Sequence, residues 1–208
     1  MARYLGPKCR ICRRLGTKLF LKSNRCNSEK CALNKRKTVP GQKAMRLGKL
    51  TPYALQLKEK QKLKKMYGLL EKQFKNTFFE ASRRKGVTGD NLLMLLETRL
   101  DNTVFRLNFA SARNTARQLV MHGHILVNGK KVDIPSFHVK TGDVISIAES
   151  SRSIKSINDS LGATDEGSII PWLKLDVNKY EGVVDHLPLR AEIQVPVNEQ
   201  TVVELYSK

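Results

Sequence analysis

The sequence predicts an α+β fold: a zinc-stapled, helical N-terminal domain, then a small module of two helices on a curved β-sheet. Three observations predict it. Four cysteines stand close together near the N-terminus, apolar residues recur at three- and four-residue steps between residues 51 and 120, and Asn128-Gly129 then separates short β-rich runs. A chain of 208 residues that is 40% hydrophobic and 27% charged can bury a core and is globular, not a disordered tail.

The cysteines follow the pattern C-x2-C, thirteen residues, then C-x4-C: Cys9, Cys12, Cys26 and Cys31. The first pair places two sulfurs on one side of a metal, and "RRLGTKLFLKSNR" is long enough for the second pair to close a tetrahedron. Thiolates at this spacing suit one Zn²⁺, and four of them leave no position for water, so the site is structural and not catalytic. Free thiols, a redox-labile C-x-x-C and an iron–sulfur cluster are the alternatives.

Charge is the strongest compositional signal. The chain has 38 Lys and Arg against 19 Asp and Glu, a net +19, unevenly spread: residues 1–50 carry +14, and residues 151–208 carry −3. A one-signed field of that size favours a polyanion, with nucleic acid first. The opening residues lead into no apolar stretch, and the longest apolar run, Leu92 to Leu96, is too short to span a bilayer. The sequence therefore reads as a soluble cytosolic chain without a membrane partner, where cysteines are thiols or metal ligands and not disulfides.

After Cys31, "ALNKRKTVPGQKAMRLGKL" reads as an extended basic arm, broken by Pro40-Gly41 and Gly48. Thr51-Pro52 then opens a helix, as N-cap and first helical residue. Leu63, Met66, Leu70, Phe74 and Phe78 form its apolar stripe, with a break near Gly68, while Lys58, Lys60, Lys62, Lys64, Lys65, Lys72 and Lys75 fill much of the rest. Three glutamates are too few to neutralise this run, so it reads as an anion-facing surface. The cations assigned to RNA here are Lys8, Arg10, Arg13 and Arg14 around the first cysteine pair, Arg36 and Lys37 in the arm, and Lys58, Lys62 and Lys65 on the helix. A further helix after Gly86–Gly89 carries Leu92, Leu93, Leu95 and Leu96 inward.

From Arg99 the pattern is a short helix marked by Leu100, Val104 and Leu107, then a second helix capped by Ser111. At about 100° per residue, Ala112, Ala116, Leu119 and Val120 share the core-facing arc of that second helix, and Arg113, Asn114, Arg117, Gln118 and Met121 the opposite, exposed arc. Two arginines one turn apart, flanked by amides, make this a candidate RNA-binding face, with His122 at its end. "HILVNGKKV" is a hairpin that places Lys130 and Lys131, two further candidates for RNA contact, just past its turn, and Val144, Ile145 and Ile147 form a further strand. Ser150 opens another helix through Ile154, Ile157 and Leu161; "PWLKLDVNKYEGVV" is irregular or β-rich; and Asn198 caps a final helix to Tyr206. The predicted organisation is a zinc-binding basic segment (1–45), a helical domain (46–98) on which the C-terminal helix (198–207) packs, a module (99–150) and its extension (151–197).

"RYLGPKCRICRRLG", "LQLKEKQKLKKMYGLLEKQF", "LLMLLETRLDNTVFRLNFASARNTARQLVMHGHILVNGKKVDIPS" and "NEQTVVELYSK" resemble the family of bacterial small-subunit ribosomal protein four, over the whole length. That resemblance implies a structural, non-enzymatic protein of the small ribosomal subunit, cytoplasmic, with 99–150 as its RNA-binding module. It implies binding to the five-prime domain of 16S rRNA early in assembly, contact with ribosomal protein five and other small-subunit proteins, and a place beside mRNA where it enters the subunit, with an influence on decoding accuracy. Two rivals use the same module. Arg99-Leu100-Asp101 is similar to the catalytic Arg-Leu-Asp of pseudouridine synthases, but there the aspartate lies in a separate domain, and an aspartate at a helix N-terminus is the simpler reading. A translational regulator is the other rival, and it would need neither the cysteine segment nor the lysine helix.

Overall fold

The computed structural model describes residues 3–36, 38–41, 50–163 and 169–207. The chain divides into two compact units, Met1–Leu92 with Val195–Lys208, and Leu93–Gln194.

In the first unit, α1 (Lys8–Leu15), α2 (Ser23–Asn27) and α3 (Ala32–Lys35) are short and built around the cysteines. Helix α4 (Pro52–Met66) starts as its sequence dictates: Thr51 Oγ1 accepts the Ala54 N–H at 3.2 Å, and Pro52 occupies the first turn, where no N–H is needed. It stops at Tyr67, and Gly68 turns the chain with φ 68° into α5 (Glu71–Arg83). Leu63, Met66, Phe74 and Phe78 are buried as expected, each contributing about 1.5–3 kcal/mol of transfer energy. Leu70 departs from the stripe: it is the extended N-cap of α5 and only half-buried.

Helix α10 (Glu199–Tyr206) returns from the far end of the chain to lie against α4. Asn198 Oδ1 accepts from the N–H groups of Gln200 and Thr201, and the Tyr206 ring stacks on Phe78 with centroids 4.4 Å apart. Gln56 donates to Glu204 at 3.1 Å. Below this contact, Lys60 and Lys64 both bond Glu71, each at 2.5 Å, and the Tyr206 hydroxyl donates to the same carboxylate at 3.3 Å.

Desolvation alone would raise the Glu71 pKa; the hydrogen bonds and charges of Lys60 and Lys64 outweigh it and hold the carboxyl at about 2, against an ordinary 4.5. Because the folded value is the depressed one, the contribution is complete above pH 4.5 and is lost as pH falls toward 2. Glu71 is 49% exposed, so solvent screens the pair and the effect is modest. Glu71→Gln is expected to flatten the loss of stability between pH 4.5 and 2 in urea titrations; parallel pH profiles for the two proteins would refute this.

Helix α6 (Thr88–Glu97) contains the boundary between the units and buries Leu92, Leu93, Leu95 and Leu96. In the second unit, α7 (Leu100–Arg106) begins where the carbonyls of Phe137 and Pro135 accept the N–H groups of Leu100 and Asp101, at 2.8 and 3.1 Å. Helix α8 (Arg113–Met121) packs on α7. Its N-cap is Ala112 in extended conformation without a side-chain cap, so Ser111 does not serve as predicted.

Strands β1 (Ile125–Val127), β2 (Lys130–Lys131), β3 (Val144–Ile147), β4 (Leu173–Asp176) and β5 (Glu181–Val184) form one antiparallel sheet in the order β2-β1-β3-β5-β4. Asn128 and Gly129 turn β1 into β2 with φ 51° and 76°, the signs a type I′ turn requires. Asn128 is held by Asp143 Oδ1 and by the Val144 N–H, both at 2.9 Å.

The "PWLKLDVNKYEGVV" run is thus a regular hairpin that joins the module's own sheet. Trp172, fully buried beside β4, packs with Leu100, Val104, Leu107, Ala116 and Val120 from the helices and Ile125, Ile145, Ile147 and Val184 from the strands. Helix α9 (Lys155–Gly162) buries Ile157 and Leu161 but starts later than predicted. Glu149–Ser151 is a separate 3-10 turn, with Ser151 Oγ 2.8 Å from His124 Nδ1, so Ser150 does not cap α9. Most of "GATDEGS" lies outside the described residues.

Candidate nucleic-acid interface

The cysteines sit on separate short elements: Cys9 and Cys12 on α1, Cys26 on α2, and Cys31 as the N-cap of α3. All four are free thiols. Burial raises the Cys12 pKa, opposed by a hydrogen bond from the Leu19 backbone, and the charges of Cys26, Cys9 and Cys31 push it further up. Cys26 Sγ likewise accepts the Lys22 N–H at 3.3 Å. Donor chemistry and backbone support suit a soft divalent ion, whose charge would reverse the mutual repulsion of the thiolates. Among the described residues no group of three His, Cys, Asp or Glu side chains is placed to hold a metal.

Around this segment, Arg10, Arg14 and Arg36 are exposed. Arg13 is tied to the Thr38 carbonyl at 3.0 Å, and Lys8 is half-buried with its pKa lowered first by desolvation, then by Lys22 and Arg3. Lys37 lies outside the described residues. A cleft of about 600 Å³ between α1 and α4 has Arg13, Arg14, Lys58 and Lys65 among its lining residues, with Ile11 and Leu57. Lys65 Nζ lies 4.1 Å from the Tyr4 ring centroid, and desolvation followed by the charge of Lys64 lowers its pKa.

The lysine run is therefore not one anion-facing surface. Lys60 and Lys64 are buried on Glu71, and Lys62, a predicted RNA contact, bonds Glu59 at 2.6 Å with its side chain only 12% exposed. Sequence reading missed these pairings because Glu71 lies beyond the turn at Gly68 and reaches back across it.

The second unit carries the larger correction. Arg117 is 4% exposed, not displayed on an open arc: its Nη1 donates to Asp101 Oδ2 at 3.0 Å. Arg99 takes the same carboxylate with two bonds, at 3.1 and 2.9 Å. The side of α8 that the helical period leaves polar is covered, at Arg117, by α7. Asp101 therefore lies in the first turn of α7 with guanidinium donors on both oxygens, in a structural position.

Beside it, Arg106 forks onto Glu97 at 3.0 and 2.6 Å, and Asn102 Nδ2 donates to Glu97 Oε2 at 2.6 Å. Asn102 Oδ1 in turn accepts Arg113 Nε at 2.8 Å, with the Arg113 guanidinium 4.5 Å from the Phe105 ring centroid. Glu97, Asn102 and Arg106 are not singled out by the sequence, and Arg99 only as part of Arg99-Leu100-Asp101. The signal that could have found them is the density of polar residues in "ETRLDN" inside an apolar run.

Asn114 is half-buried, and Gln118, His122, Lys130 and Lys131 are exposed. Lys131 crosses Gly123 so closely that a Cβ there would collide with its Cε, which sets the ammonium near the C-terminal end of α8. The His122 and His124 ring centroids are 5.9 Å apart. Among the described residues, none of Arg10, Arg14, Arg36, Lys130 and Lys131 forms an ion pair with a carboxylate, and no helix is long and apolar enough to cross a membrane.

A family model described as the ribosomal protein S4/S9 N-terminal domain matches residues 3–97, and one described as the S4 domain matches residues 98–145. The chain is 57% identical over 208 residues to the small ribosomal subunit protein uS4 of Syntrophobacter fumaroxidans. It is 55% identical over the same length to those of Geotalea daltonii and Thermoanaerobacter pseudethanolicus, with 100% of both chains covered in all three comparisons. With both domain models matched in order and relatives of this identity aligned from end to end, the chain belongs to the uS4 family of small ribosomal subunit proteins.

Proposed function

We propose that the chain is a structural component of the small ribosomal subunit that binds the five-prime domain of 16S rRNA and nucleates its assembly. It is not an enzyme, and as part of the subunit it is cytoplasmic. It contacts ribosomal protein five and lies near mRNA where that strand enters, contributing to accuracy. The observation that carries RNA binding is the display of exposed cations that form no ion pair among the described residues, Arg10, Arg14 and Arg36 on one unit and Lys130 and Lys131 on the other. Such groups release counterions on meeting phosphate, while the paired Lys60, Lys62, Lys64, Arg99 and Arg117 support the fold beneath. Cys9, Cys12, Cys26 and Cys31 hold one structural Zn²⁺ in this reading, supported by their spacing, their all-thiol donor set and the two backbone N–H groups aimed at sulfur.

Binding to a five-prime-domain transcript should weaken steeply with salt. Lys130→Ala with Lys131→Ala should lower the magnitude of the log–log slope by roughly 0.7 to 0.9 for each phosphate that is no longer neutralised, whereas Lys62→Ala should leave it unchanged. A double variant with the wild-type slope, or a wild-type chain that does not prefer the five-prime domain to an unrelated hairpin, would count against the reading.

A further inference from the structure

The loop between α1 and α2 presents one side chain in an unusual way. Phe20 has φ 50°, in the left-handed region that bulky residues avoid, and the residue is 51% exposed. Strain of this kind persists only where the surroundings enforce it, and here they do. On one side Leu19 is buried and its N–H bonds Cys12 Sγ; on the other, the Lys22 N–H bonds Cys26 Sγ at 3.3 Å. Phe20 thus stands between two backbone N–H groups that both bond cysteine sulfur.

Its neighbours in sequence are cationic. Lys18 is half-buried, and Lys22 and Arg25 are exposed, within a segment that carries +14 over fifty residues. Another exposed aromatic, Phe79, lies on the regular helix α5 with Lys75 Nζ 5.6 Å from its ring centroid. Phe20 is distinguished by backbone that is held, at a conformational cost, so that the ring stays in solvent. An exposed flat apolar ring among cations has the two properties that single-stranded nucleic acid needs: a π-face for a base, and positive charge for the flanking phosphates.

We infer that Phe20 is a stacking platform for an unpaired RNA base, with Lys18 and Lys22 meeting the backbone on either side. This rests on the RNA-binding reading above and adds to it a contact that depends on base and not on phosphate. Stacking neutralises no phosphate, so its removal should lower affinity without changing the salt slope.

The test uses the full-length chain, kept reduced and supplied with Zn²⁺. Phe20→Gly tolerates φ 50° and should keep its melting temperature close to wild type, yet bind the five-prime-domain transcript about 5- to 150-fold more weakly with an unchanged slope. On a fully paired RNA duplex, where no base is free, it should match wild type. Phe20→Trp should restore affinity, and its fluorescence should be quenched on adding RNA.

Stacking is overturned if Phe20→Gly binds the transcript like wild type, or is weakened as much on the duplex. It is also overturned if the weakening arises only on particles already carrying other small-subunit proteins, which would assign Phe20 to a protein contact. Either result leaves the RNA-binding reading standing, provided the wild-type chain binds with steep salt dependence; a wild-type chain that does not bind overturns both.

Discussion

Asp101→Ala should destabilise the Leu93–Gln194 unit by about 3–5 kcal/mol, because it removes the carboxylate that two buried guanidinium groups share. Arg99 and Arg117 are each 4% exposed, and three of their N–H groups converge on this one carboxylate. The gain from the intact pair over an apolar substitute is small; the large number arises from removing one partner only. Asp101→Asn should cost less, since the amide oxygen still accepts a bond. Urea midpoints measured at constant m-value read the difference. A change below about 1 kcal/mol for the alanine variant would mean that Arg99 and Arg117 find other acceptors and that Asp101 is not their hub.

Metal removal should have the larger effect, confined to the N-terminal segment. The reduced chain is expected to carry about one Zn²⁺, and chelation should unfold the region containing Cys9, Cys12, Cys26 and Cys31, since structural zinc supplies on the order of 10 kcal/mol. The elements there are five and four residues long in α2 and α3, and bury little beyond Leu19, Cys26 and Cys31. Helices of that length do not persist unaided. Metal analysis of the reduced protein and circular dichroism during chelation would measure both parts. Protein that purifies reduced, folded and without metal would show that zinc is not what holds the segment.

The local signals in the sequence were legible where they act over a few residues. Thr51-Pro52, Asn128-Gly129 and Asn198 each begin the element they predict, because a cap or a turn is decided by the groups beside it. Arg117 was misread for the opposite reason. A helical wheel separates two faces but does not know what covers the polar one, and its cover is Asp101, sixteen residues earlier on another helix. Lys60 and Lys64 were misread in the same way through Glu71. Phe20 was invisible as a candidate, since the backbone angle that makes it unusual has no counterpart in residue type.

The order of the sheet carries a consequence for the borders of the module. The S4 domain match ends at residue 145, within β3, yet β3 is an interior strand: Ile145 pairs with Val127 of β1 and with Gly182 of β5. Chain severed after residue 150 would therefore expose a bare edge of open amides and carbonyls beside Ile145 and Ile147, with the seat of Trp172 unfilled. Such an edge is a template for a second copy of itself. The hairpin β4–β5 pairs that edge from within the same molecule and moves the border of the sheet out to β4, where the exposed Lys174 places a charge on it.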